Sequence, residues 1–110
     1  MLYVFNLCFT YRPLGIIFEM IMSEKEIKLR AVFAWCMACE WSVTDLHLLF
    51  SRIYNVIHYR KLWTDAKTPE IVVSATRSGV DALEDLHLFM IARCFPEEIR
   101  QAVMWLVYHN

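Results

Sequence analysis

The residues best equipped for chemistry in this 110-residue chain are two cysteines three apart, in Trp35-Cys36-Met37-Ala38-Cys39. That spacing serves thiol–disulfide exchange, in which one thiolate attacks and the second thiol resolves the mixed disulfide. It also serves half of a structural zinc site, which needs two further ligands at matched spacing. Cys8 and Cys94 stand alone, and His47, His58, His87 and His109 show no paired spacing. We therefore expect no metal and no cofactor. Asp45 and His47 are two apart and point to different sides of a helix. Glu84 and His87 have the i, i+3 spacing of di-iron bundles, which require a second such pair and two more Glu. Thr44 stands where that second Glu would precede His47. Phosphate loops, dinucleotide fingerprints and nucleophile elbows all need glycines, and the chain has only two. Outside thiol chemistry, the expectation is a protein that is not an enzyme.

The Trp-Cys-x-x-Cys string resembles the thioredoxin active site. The resemblance implies that Cys36 attacks, with its pKa lowered at a helix N-terminus, and that Cys39 resolves. Thr68-Pro69 before Ile71-Val72-Val73 is similar to the proline-then-strand segment of that family. A thiol oxidoreductase of this kind requires a strand over residues 28–34 and an exposed Cys36. Ser23-x-x-Glu26 is instead a capping box that opens a helix there. Only 33 residues separate Cys36 from Pro69, little room for the intervening elements of that fold. The alternative is two packed, inert core thiols.

A second resemblance concerns DNA. Trp35-Cys36, Trp41, Asp45 and Phe50 resemble the helix-turn-helix segment of CaiF/GrlA-type bacterial regulators over less than a quarter of the chain. This implies a separate recognition helix after Phe50. Another helix-turn-helix reading puts Ala75 and Gly79 at the small-residue and turn positions, with the helix from Val80 entering the groove. Asp81, Glu84 and Asp85 would then meet phosphate, a like-charge clash. Arg52, Arg60, Lys61 and Lys67 make a better candidate basic face, whose alternative is a solvated helix flank. A net charge of −1 supplies no global attraction to nucleic acid.

Helix signals dominate the chain that must position these groups. The first run extends from Glu24 to about Cys39, and every residue from Ala31 to Cys39 is apolar. A helix apolar on all sides is buried on all sides, so this run predicts a central helix. Ser42-Val43-Thr44-Asp45 opens a long amphipathic helix to about Leu62. Thr68-Pro69-Glu70 supplies a cap, a proline at the first position and an acid in the first turn. A short helix to Thr76 is expected there, although Ile71-Val72-Val73 also has strand chemistry. Arg77-Ser78-Gly79 reads as a break before a helix from about Val80 to Arg93. Pro96-Glu97-Glu98 opens the last helix. Asp45-Leu46-His47-Leu48 recurs as Asp85-Leu86-His87-Leu88, the trace expected of a duplicated helical unit.

Hydrophobic residues make up 58% of the chain, which excludes a disordered or low-complexity protein. Arg12, Pro13, Gly15 and Glu19 interrupt the apolar N-terminal stretch, so no span of about 18 apolar residues forms. No basic n-region precedes it. The protein therefore reads as soluble, intracellular and cytoplasmic, with reduced thiols. Residues 1–22 read as an N-terminal arm or an upstream extension, with Met20 or Met22 as an alternative start. Residues 23–110 read as a single helical domain. The expected fold is all-α: an irregular bundle of four to five helices around a central apolar helix at about 24–40, with no substantial sheet. On the last helix Ile99, Ala102, Val103 and Leu106 form one face. Met104, Trp105, Val107 and Tyr108 lie round the other side, more than one small domain can bury. Met104, Trp105 and Tyr108 are the expected partner-binding residues. The expected function is a small non-enzymatic interaction or regulatory module, self-associating as a homodimer or binding a protein partner. A helix-turn-helix regulator ranks second and a thiol oxidoreductase third. Neither a membrane nor a small-molecule substrate is expected.

Overall fold

Ser23 starts α1 (Glu24–Ala38), its hydroxyl accepting the Glu26 N–H at 3.1 Å. The computed structural model describes residues 22–110, so expectations for residues 1–21 fall outside it. Ser42 starts α2 (Val43–Thr64) with a complete capping box: its hydroxyl accepts from the Asp45 N–H, and the Asp45 carboxylate accepts from the Ser42 N–H. Thr68 caps α3 (Pro69–Ala92), with Pro69 in the first turn. Pro96 precedes α4 (Glu97–Tyr108) and offers no side-chain cap. The described residues thus form four helices joined by short connections, with no strand among them.

Residues 69–76 are helical, and Arg77-Ser78-Gly79 is not a break. α3 runs straight through it. Gly79 sits where α3 crosses α2 closely: a Cβ built on it would lie 3.5 Å from the Tyr59 Cβ. The glycine thus marks helix contact rather than helix termination.

α1 and α3 end in the same way. The N–H of Trp41 reaches the Cys36 carbonyl and that of Glu40 reaches the Met37 carbonyl, each at 3.0 Å. The N–H groups of Phe95 and Cys94 repeat the pattern on Met90 and Ile91, again at 3.0 Å. Both are Schellman caps. Their C′ residues, Glu40 and Cys94, take left-handed φ values of 57° and 56° without being glycine. Both turns carry an aromatic residue one position later, Trp41 or Phe95, folded back onto the core.

These caps make two like corners, one joining α1 to α2 and one joining α3 to α4. Aligning Glu40 with Cys94 pairs Val32 with Leu86, Cys36 with Met90, Leu49 with Val103 and Ile53 with Val107. All eight are buried. Complete burial of such a side chain contributes roughly 1.5–3 kcal/mol, so these eight anchor the core. The Asp-Leu-His-Leu echo does not follow this equivalence. Asp45 belongs to the α2 capping box, whereas Asp85 lies inside α3 and pairs with Arg52 at 3.1 Å.

α2 and α3 pack as a long antiparallel pair, α1 pairs with α4, and α4 also packs on α2. The two longer helices outrun the shorter ones. Lys25 Nζ donates to Asn110 Oδ1 at 3.2 Å, and Arg60 donates to the Val107 carbonyl at 3.0 Å, so α1 begins and α4 ends beside Arg60. Beyond that level, among the described residues, only the end of α2 and the start of α3 continue. The result is an elongated body of 55 × 30 × 22 Å. α1 buries Val32 and Cys36 but exposes Ala31, Met37 and Ala38. Its apolar run is therefore one wall of the core rather than an element enclosed on every side.

Candidate interaction surface

The partner-binding residues expected on α4 are largely used by the fold itself. Met104 and Trp105 are half-buried against the core, and the Trp105 ring stacks on His109 with centroids 4.2 Å apart. Tyr108 is half exposed and lies beneath the Arg60 guanidinium, 4.6 Å from its ring centre. Val107, which the sequence places with this group, is completely buried. Contact with both α1 and α2 covers two sides of α4 and leaves a narrow accessible strip.

The four basic residues do not form one face. Arg52 pairs with Asp85, donates to the Leu48 carbonyl at 3.1 Å and lies 4.7 Å from the Phe89 ring centre. Arg60 turns toward α4, where it bonds Val107. Lys61 follows on the same helix, about 100° further round. Lys67 lies in the connection to α3. Both lysines are exposed. The helix-turn-helix elements are also merged. α2 continues without a turn past Phe50, and Ala75 and Gly79 both lie inside α3.

Cys36 lies in the last turn of α1, fully buried, and Cys39 is the exposed residue that ends the helix. Residues 28–34 are helical. The strand and the exposed Cys36 implied by the thioredoxin resemblance are both missing here. Burial, reinforced by the neighbouring Cys39, pushes the Cys36 thiol up to about 11. An attacking thiol needs the opposite shift. Pro69 opens α3, and Ile71, Val72 and Val73 continue it as helix. Among the described residues, no three His, Cys, Asp or Glu side chains gather closely enough to hold a metal ion. No helix among them is long and apolar enough to cross a membrane.

α3 carries more exposed large hydrophobic residues than any other helix described. Its core side carries Ala75, Leu86, Phe89 and Met90. Val73, Val80, Leu88 and Ile91 are each more than half exposed. At 3.6 residues per turn, Val73, Val80 and Ile91 fall within about 20° of one another, directly away from Ala75 and Leu86. α3 is thus apolar on two opposite sides, and the bundle covers only one. A smaller apolar area continues at the tip, where Leu62, Trp63, Ile71 and Val72 lie beyond the reach of α1 and α4. Sequence reasoning passed over this surface because a break was expected at Arg77-Ser78-Gly79 and Ile71-Val72-Val73 lay in a short helix of its own. Read as helix, three consecutive aliphatics sweep about 200°, more than one face can bury.

No protein-family model, curated protein or solved structure matches the chain.

Proposed function

We propose that the chain is a small non-enzymatic helical interaction module that self-associates through apolar helix faces. The observation that carries this reading is the outer side of α3, where Val73, Val80, Leu88 and Ile91 face solvent from a rigid, well-capped helix. An interaction surface combines aliphatic anchors with a preorganised backbone, and these residues have both. The Met104, Trp105 and Tyr108 strip on α4 is a secondary contact in this reading. DNA binding has less support. Arg52 and Arg60 are engaged inside the fold, and the outer part of α3 carries Glu70, Asp81 and Glu84.

Sedimentation over a concentration series tests the proposal, with circular dichroism following the fold. Wild type is expected to associate reversibly. Val80→Glu is expected to keep its helix content and to weaken association about tenfold, because it places a charge in an apolar contact. A wild-type protein that stays monomeric to high micromolar concentration overturns self-association.

A further inference from the structure

The two cysteines that close α1 have a use beyond packing, independent of the self-association just proposed. We propose that Cys36 and Cys39 form a redox-sensitive latch on the α1–α2 corner. A low-molecular-weight disulfide such as oxidised glutathione joins them, and the Schellman cap opens as the bond forms.

The α3–α4 corner makes the same cap with Met90 and Arg93 at the places of Cys36 and Cys39. Neither the cap nor the aromatic packing therefore requires thiols. In the α1–α2 corner the two thiols bracket the cap. The Cys39 N–H donates to the Trp35 carbonyl and the Trp41 N–H to the Cys36 carbonyl, each at 3.0 Å. Helical residues three apart have Cα atoms about 5 Å apart, inside the range a disulfide spans. Their Cβ atoms are about 5–6 Å apart, whereas a disulfide holds them at about 3.8 Å. Joining the sulfurs therefore draws one cysteine at least about 1 Å toward the other. Cys36 is fully buried and fixed by the core, and Cys39 is exposed where the chain leaves the helix. The movement falls on Cys39, whose N–H then leaves the Trp35 carbonyl. Glu40, already left-handed at φ 57°, turns with it, and Trp41 loses its bond to Cys36.

Exposure divides the chemistry between the two thiols. The Cys39 thiolate attacks oxidised glutathione, releases one glutathione thiolate and is left in a mixed disulfide. Cys36 passes its proton to the released thiolate, and its sulfur attacks the Cys39 sulfur, which expels the second glutathione. Two protein thiols are oxidised and one small disulfide is reduced to two thiols. Burial keeps Cys36 protonated, so it is not the first attacker. The one-turn spacing makes its own attack intramolecular. A disulfide that displaces its own backbone is strained and readily reduced, so the latch is reversible.

The test uses the full chain with Cys8→Ser and Cys94→Ser, which leaves only the pair to react. It is equilibrated at pH 8 with mixtures of reduced and oxidised glutathione. Alkylation and mass spectrometry read the thiols, magnetic resonance reads amide exchange, and circular dichroism controls for the fold. An internal Cys36–Cys39 disulfide is expected, reversed by dithiothreitol. The amides of Cys39, Glu40 and Trp41 should exchange at least about tenfold faster in the oxidised form, because each loses its hydrogen bond. Those of Arg93 and Phe95, the matching donors of the α3–α4 corner, should not change. Adding Cys36→Ala should stop the reaction at the mixed disulfide on Cys39 and keep the three amides slow. Adding Cys39→Ser, an exposed and conservative change, should prevent any uptake of glutathione. An intact pair that stays reduced, or stops at the mixed disulfide, overturns the latch. So does an internal disulfide that leaves the three amides as slow as before.

Discussion

The two ends of the molecule use the same kinds of residue to opposite effect. At the capped end, Trp35, Trp41, Phe89 and Phe95 form one aromatic cluster. Trp35 and Phe95 have ring centroids 4.5 Å apart, and Trp41 lies 5.4 Å from Phe95 and 6.1 Å from Phe89. Arg93 covers the cluster, 4.0 Å from the Phe89 ring centre, and reaches Asp45 at 3.8 Å. At the opposite end, Trp63 is 56% exposed, although it follows Val56 and Arg60 along the α2 side that faces α4. Among the described residues, four helices converge on the first end and two reach the second. The burial of an aromatic side chain here is decided by how many helices extend to its level, not by residue type.

The largest expected effect contrasts the two ends directly. Phe95 is only 6% exposed and touches three other rings of the cluster. Phe95→Ala should cost about 3–4 kcal/mol in urea unfolding, by loss of transfer energy and creation of a cavity. Trp63→Ala should cost less than about 1 kcal/mol, since most of its surface already meets water. Equal losses at the two sites would show that the tip is packed in solution and remove the contrast.

Cys36 sharpens the comparison through its proton. Replacing Cys36 and Cys39 together with Ala should lower stability by roughly 1–3 kcal/mol through lost packing. The Cys36 thiol is raised from its ordinary value of 9.0 to about 11, so the folded protein holds the proton more tightly than the unfolded chain does. Its contribution is therefore intact below pH 9 and is lost as pH rises through about 11. The stability difference between wild type and Cys36→Ala should shrink over that window. Cys39 and Cys94 should alkylate readily at pH 8 while Cys36 lags. Rapid alkylation of Cys36 at pH 6 would revive the thioredoxin-like reading.

The smallest expected effects are gains, one from each end. Glu40 holds a left-handed conformation that glycine adopts without a Cβ penalty, so Glu40→Gly should stabilise by about 0.5–1 kcal/mol. Gly79→Ala adds a methyl that lands at ordinary contact distance from Tyr59 and favours the helix, for a gain of about 0.5–1 kcal/mol. Thermal midpoints measure both. A loss at Gly79 would mean that α2 and α3 pack more tightly near the tip than their separation implies.

Helix starts were legible in the sequence because their chemistry is local. Ser23, Ser42, Thr68 and Pro69 each act on N–H groups within three residues of themselves. Helix ends were harder to see. Glu40 and Cys94 occupy positions where a glycine would announce the stop, whereas Gly79 lies inside a helix. The likeness of the two corners was also hidden, because it resides in which positions are buried. Cys36 matches Met90 and Trp41 matches Phe95 without identity, while the visible four-residue echo links unlike places. Of the proposed interaction residues, Trp105 and Tyr108 could be named from periodicity. The outer face of α3 could not, because the expected break at Gly79 divided its spacing into two unrelated pieces.

The unequal helix lengths also set a gradient in how readily the backbone opens. Amides near Val32, Leu49, Leu86 and Val103 lie beside fully buried core side chains, so their hydrogens exchange only when the whole fold opens. Amides from Leu62 to about Val72 belong to two helix ends supported chiefly by each other. Fraying there breaks few long-range contacts and leaves the aromatic cluster undisturbed, so deuterium enters the chain from the tip and advances toward the caps. Docking of a second copy along α3 would slow that entry before it altered any slower-exchanging amide.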